Sequence, residues 1–405
     1  MRESPNPSAT RQLEVAGLRP VSDVLFDRLV ALRRDLHRHP ELGWRETRTA
    51  SRIEAELDRL GIAHRRVEGT GILADLPGPD GVPAVALRAD MDGLPIPEET
   101  GLAYASEEPG LMHACAHDGH VAMLLGAAEI LLANNDRPAP IRMIFQPAEE
   151  LGDGAKRMIE AGALEGVGMI FGGHLDRHYE AGTVIVSDGP VNASADAFRI
   201  HISGREGHAG RPHEAVDAVV IGSLMVMAIQ TIVSREINPD HPSVVSIGMF
   251  RAGNVSNAIA GQAELQGTIR AQDLDVRQHL KASVKRIAET TALLHGAELE
   301  FEFTESTPIL YNRPPGTDYA RKAARKVVTE DKVIELEHAN MGGEDFSRYL
   351  NLVPGCYVRY GARVEGREGF PSHSSKFEFD EEALAIGAAW LAEIATVAGR
   401  EILKE

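Results

Sequence analysis

The segment His113-Ala114-Cys115-Ala116-His117-Asp118-Gly119-His120 sets a thiol two positions from an imidazole. Gln146-Pro147-Ala148-Glu149-Glu150 follows it with paired carboxylates. Cysteine occurs only twice, at Cys115 and Cys356, so a cysteine beside histidines is not an accident of composition. A thiolate and an imidazole suit a borderline-soft divalent cation, and glutamate accepts harder ones such as Mn²⁺. Beside a glutamate that ligates, its neighbour is placed to act as general base, so the chemistry predicted is metal-assisted hydrolysis. Glu149 and Glu150, in extended chain, would point in opposite directions and divide those roles. Each feature also has a plainer reading: an inert buried cysteine, and a solvated acidic pair at a strand end.

These residues need elements to hold them. A helix over 21–38, a second over 46–60 closed by Gly61, and a short apolar strand over 84–88 are predicted. That strand delivers Asp90 and Asp92, which read either as acceptors orienting imidazoles or as turn formers. The apolar spacing of 119–133 predicts a helix on a sheet, so Cys115 and His117 sit just before its N-terminus, where amide dipoles favour a thiolate. Strands over 141–145 and 169–171 end in Gln146–Glu150 and in Gly172-Gly173-His174. Polar sets leaving the carboxyl ends of several strands mark the ligand-binding edge of an open α/β sheet. From 195 to 303 the order changes to strand, helix from Glu214, strand, strand, helix, strand, the ferredoxin-like split unit. The fold class is therefore α/β: a catalytic domain with a mixed central sheet over 21–190 and 306–405, interrupted by an inserted α+β lid domain over 191–305. Residues 1–20 form a polar, proline-broken leader read as disordered.

The chain has 405 residues, and its net charge of −18 argues against nucleic acid or an anionic membrane as partner. Two cysteines cannot make a disulfide framework and no signal peptide is visible, which points to the cytoplasm. The longest apolar stretch, 219–233, is interrupted by Ser223 and Gln230 and reads as a buried helix, not a membrane span. His37, His39, His64, His113, His178 and His241 lack comparable context and are taken as surface or structural residues.

Several motifs occur here in one order: Arg34 to Leu42, Leu87 to Pro95, His113 to His120, Gln146 to Glu150, Gly207-His208-Ala209 with Pro212-His213, Gly343-Glu344-Asp345-Phe346, and Ser372-His373-Ser374. Together, over about residues 30 to 390, the chain resembles the dinuclear-metal amidohydrolases. That group includes hippurate hydrolases, N-acetyl-amino-acid deacetylases and plant indole-acetyl-amino-acid hydrolases, within the aminoacylase and metallocarboxypeptidase superfamily. The resemblance implies two divalent ions per subunit, Mn, Zn, Co or Ni, with Cys115 bridging them. His117 and His174 would complete one site, and Glu150 with His373 the other. Glu149 would be general base and proton shuttle. His208 would reach the active site of the opposite subunit of a homodimer, and Asn257 and Arg270 would hold the α-carboxylate of an N-acyl amino acid.

Two positions depart from the family pattern: Ala116 stands where glycine is usual, and Ser375 where proline is common. Three other readings compete. A Cys115 nucleophile with His117 or His120 as base leaves Glu149, Glu150, His174 and His373 unexplained. A non-catalytic metal-binding protein has no use for a spare glutamate. A dipeptidase or carboxypeptidase would use the same machinery on a peptide bond.

Overall fold

A computed structural model describes residues 20–134, 137–366 and 369–404, so the leader expected over 1–20 lies, apart from Pro20, outside the described residues. Eight strands form one mixed sheet. Their spatial order is Ala63–Val67, Gly71–Leu76, Ile141–Gln146, Ala84–Asp90, Val167–Glu180, Gly355–Arg363, Val184–Ile185 and Val333–Ile334. The four central strands, from Ile141–Gln146 to Gly355–Arg363, are parallel. They are nearly continuous apolar runs because both faces are covered. One face packs on helices His117–Ala133 and Glu382–Ile402, over which Asp23–Arg38 lies, and the other on Gly154–Glu160 and Ser347–Leu350. The His117–Ala133 helix is buried on nearly every side, not along one stripe, because helices flank it as well as the sheet.

The inserted unit is a four-stranded antiparallel sheet in the order Ser243–Ala252, Gln262–Ala271, Ser194–Ser203, Glu298–Thr307. Helices Ala218–Arg235 and Leu274–Leu294 cover one face, burying Ile221, Met225, Ile229, Leu280 and Val284. Each such side chain stabilises the unit by about 1.5–3 kcal/mol. Where the chain leaves and re-enters the main domain, Gly189–Asn192 pairs with Leu310–Asn312.

The structure corrects several expectations. The helix expected from Glu214 begins at Ala218, because Asp217 caps it, its Oδ1 accepting from Val219 N at 2.9 Å. Pro212–Glu214 is a separate short 3-10 turn. His174 lies inside the Val167–Glu180 strand, not beyond its end. The hairpin Ala63–Val67 with Gly71–Leu76 was not expected, since its first strand, with adjacent Arg65 and Arg66, is mostly exposed and carries little apolar pattern. His37 and His113 are buried. His37 Nδ1 meets Asp118 at 2.8 Å, within an ion-paired cluster that also joins Arg33 to Asp118.

Candidate metal centre

The parallel strands bring their carboxyl ends to one cleft of about 500 Å³. Its lining includes Cys115, Glu149, Glu150, His174 and His373 from the main domain and Ala195, Arg270 and Thr307 from the lid. Cys115, His117 and His174 offer ligand atoms within 4.8 Å of one another. Cys115, Glu150 and His373 do the same, so the thiol is common to two sets.

Partners of the non-ligating atoms fix the imidazoles. His117 Nδ1 lies 3.0 Å from Asp92 O and 3.1 Å from Asp92 Oδ1, which leaves its buried Nε2 without a hydrogen bond. His174 Nδ1 lies 2.7 Å from Leu175 O, and its Nε2 faces Cys115 Sγ at 3.4 Å. Burial, then His120 and Arg359, hold His174 well below the usual imidazole range, keeping it neutral as a ligand must be. His373 Nε2 lies 3.3 Å from Glu150 Oε1. Asp92 ties the two ligand segments together, its Oδ2 accepting from Glu150 N at 3.1 Å. Asp90 supports a different imidazole: His120 Nδ1 lies 2.6 Å from Asp90 Oδ1, while His120 Nε2 accepts from Leu175 N at 3.0 Å. With both ring nitrogens engaged, His120 is a strut for the strand that carries His174.

The donor set fits two divalent cations. An unpartnered buried Nε2, a thiol shared between two clusters and carboxylates on one flank are what soft and borderline ions require. The helix start does not by itself activate the thiol, contrary to expectation. Burial first, then the Glu150 charge, pushes Cys115 up to about 12. A neutral buried thiol is a poor nucleophile, and cations held beside it would supply the charge that makes it a thiolate.

Glu149 and Glu150 leave the strand in a turn, not in extended chain, so both reach His117's neighbourhood, with ligand atoms within 4.8 Å. Burial, then the Glu344 and Glu150 charges, keep the Glu149 proton bound well above the usual carboxylate range. His373 and His117 hold Glu150 below its ordinary value against the opposing effect of burial. Neighbouring carboxylates with values driven apart divide into an acid/base and a charged ligand. Three non-glycine residues in the segments of the cluster take positive φ: Ala116 at 66°, Ala148 at 54° and His373 itself at 67°. This explains why glycine suits position 116: Ala116 accepts a left-handed conformation costing about 1–2 kcal/mol. Ser375 is held by Glu99, accepting from Glu99 N at 2.7 Å through its carbonyl and donating from Oγ at 2.8 Å.

His208 and Asn257 do not join this cleft within one chain. Both are exposed on the lid, where Ala258 pairs with His208 and Ala209 N donates to Asn257 O. Arg270 does line the cleft.

Sequence reading missed the support beneath the cleft. Arg88 donates to Gln146, Asp90 and Asp345, and Asp345 accepts from Gln146 and Ala155 N. Glu46 accepts from Ala148 N at 2.9 Å and from Thr70 Oγ1 at 2.8 Å, pinning the turn that presents Glu149. A charge inside an apolar strand, as at Arg88 and Arg359, was the available signal.

An α/β domain that gathers a thiol, three imidazoles and paired glutamates under a lid domain defines a metal-dependent amidohydrolase. Residues 86–397 match the model of peptidase family M20/M25/M40, and the chain belongs to that family. It is 41% identical over 370 residues to thermostable carboxypeptidase 1 of Saccharolobus solfataricus, covering 89% of this chain and 93% of that one. It is 38% identical to N-acetylcysteine deacetylase of Bacillus subtilis, covering 91% and 96%. The crystal structure of a dinuclear metal-binding M20 peptidase of Bacillus subtilis superposes with TM-score 0.81 at 35% identity, covering 94% of this chain and 99% of that one.

Proposed function

We propose that the protein hydrolyses the amide bond of N-acyl amino acids, releasing a carboxylic acid and a free amino acid. The observation that carries this is Glu149: a protonatable carboxylate, held high by burial and by Glu344, beside a complete ligand set that has no need of it. Cys115, His117, His174, Glu150 and His373 would hold two divalent ions, with Mn, Zn, Co and Ni all compatible with the donors. Bound there, such ions lower the pKa of water to about 7 and polarise a carbonyl. Glu149 takes the proton of the attacking water and returns it to the leaving nitrogen, a role worth about 10²–10⁴ in rate. Arg270, on the lid wall of the cleft, suits the substrate's α-carboxylate.

The lid's apolar surface supports pairing of two chains. Val219, Val220, Leu224 and Met227 are exposed on the Ala218–Arg235 helix, and Val244 and Phe250 on the adjacent edge strand. An unpaired edge beside an apolar helix face favours a symmetric dimer. In that dimer the partner subunit's His208 and the partner subunit's Asn257 would stabilise the oxyanion and hold the carboxylate, which accounts for their exposure here. The sparse use of cysteine, two in the whole chain, is the ground on which a cytoplasmic setting is proposed.

A panel of N-acetyl, N-benzoyl and N-indoleacetyl amino acids with matched dipeptides, assayed for free amine in Mn²⁺, Co²⁺ and Zn²⁺, tests the reading. Faster release from the acyl amino acids supports it. Turnover of dipeptides alone would place the protein with carboxypeptidases.

A further inference from the structure

Among the described residues, the arginines buried in the frame are each neutralised by carboxylates. Arg33 pairs with Asp118 and Glu381, and Arg88 with Asp90, Glu344 and Asp345; half-buried Arg277 of the inserted unit likewise pairs with Asp196. The arginines that line the cleft, Arg177, Arg270 and Arg359, break this pattern, Arg177 donating to Gly369 O at 2.8 Å. Arg359 is only 5% exposed, yet among the described residues its guanidinium meets only neutral groups: it donates to Asn192 Oδ1, engaging one of five N–H donors, and lies 5.8 Å from the Tyr357 ring centroid. Arg270 donates only to its own strand, at Ile269 O, 3.1 Å away. Neither has a carboxylate within 4 Å among the described residues. In a chain with 60 acidic residues that is not for want of partners.

A buried cation without a counter-charge is costly, and the cost is offset when an anion arrives. Both arginines flank one stretch of chain. Arg359 is the register partner of His174 and bonds Asn192, while Arg270 is the register partner of Ala195, three residues further on. Under the proposed function, on which this step rests, Arg270 meets the α-carboxylate. Arg359, the buried one of the remaining cleft arginines and the one that shares this stretch with Arg270, is left for a second anion on the same, amino-acid half of the substrate.

We infer that the cleft selects N-acyl derivatives of dicarboxylic amino acids, Arg270 receiving the α-carboxylate and Arg359 the side-chain carboxylate. The planar guanidinium matches a carboxylate through two parallel hydrogen bonds, and a neutral amide of the same shape cannot accept both. A site built around such a pair rejects the isostere because the arginine is then left unpaired.

The test compares kcat/KM for N-acetyl-aspartate and N-acetyl-glutamate with N-acetyl-asparagine and N-acetyl-glutamine, using the metal-loaded full chain. Wild type is expected to favour an acid over its amide at least tenfold. Arg359→Gln is expected to shrink that ratio at least tenfold, chiefly through KM, with Arg359→Lys retaining part of it. Binding of the product glutamate against glutamine, by calorimetry on wild type alone, should show the same preference and does not depend on a variant folding. Hydrolysis of the amides and of N-acetyl-leucine with no gain for the acids would overturn the second-carboxylate site and leave the proposed function standing. An Arg359→Gln chain that loses acid and amide turnover equally would assign Arg359 to support of His174 and overturn it too. Inactivity on every N-acyl amino acid would remove both.

Discussion

Asp92→Asn tests whether the ligand geometry rests on one carboxylate. In the wild type Oδ2 accepts from Glu150 N at 3.1 Å and Oδ1 faces His117 Nδ1 at 3.1 Å, so the charge favours the tautomer whose Nε2 is free to ligate. The amide has one acceptor. Glu150 N is a fixed donor and claims the oxygen, which turns the amide NH₂ towards His117 Nδ1. That arrangement favours a proton on Nε2, where the metal should bind, and only Asp92 O at 3.0 Å opposes it. Loss of such an orienting partner weakens metal affinity by about 10–100-fold, or about 1.4–2.7 kcal/mol. Competition against a calibrated chelator measures the affinity, and a melting curve of the metal-free protein shows whether the fold survives. Affinity within about twofold of wild type, in a folded variant, would refute the account of Asp92.

Glu149→Gln should keep metal and lose turnover by about 10²-fold or more, while Glu150→Gln should lose metal; the reverse pattern by metal analysis would exchange the two roles. Glu46, raised by burial to about 7 from 4.5, binds its proton more tightly folded than unfolded, so its stabilising effect is present below 4.5 and is lost as pH rises through about 7. Glu46→Gln keeps both contacts, because Thr70 Oγ1 can accept from the amide. Urea melts at pH 4.5 and 8 should therefore show wild type losing up to about 3 kcal/mol relative to the variant, and parallel stabilities would refute this. A His208→Ala chain mixed with a Glu149→Gln chain should regain activity on subunit exchange, through one intact composite site. Heterodimers verified by mass spectrometry without recovery, or a fully active monomer, would sink the cross-subunit role.

Part of the cluster was legible because Cys115, His117 and the Glu149–Glu150 pair are reactive types gathered where an α/β sheet puts its chemistry, while His373 entered only through the family resemblance. Cys115, His117, Glu150, His174 and His373 converge although up to 258 positions apart in number, from Cys115 to His373. The lid was legible through its order of periods, with Ile221, Met225, Ile229 and Ile232 on one helical face and alternate residues buried along Gln262–Ala271. Local geometry was not legible. Nothing in Pro147-Ala148-Glu149-Glu150 tells that Ala148 takes positive φ and turns both carboxylates towards the cluster, because the cause is Glu46, 102 positions earlier, gripping Ala148 N. The thiol's ionisation failed for a related reason. A helix N-terminus favours a thiolate, but the loss of water around Cys115 and then the charge of Glu150 push the thiol the other way. Arg359 belongs to the same class: an arginine in the middle of the buried strand Gly355–Arg363 looks like an irregularity until the folded strand shows it in a cleft wall without a counter-charge. Sequence pattern reports which residues share an element, whereas pairing of charges across elements is fixed only when the chain closes, and that pairing decides what the cleft can bind.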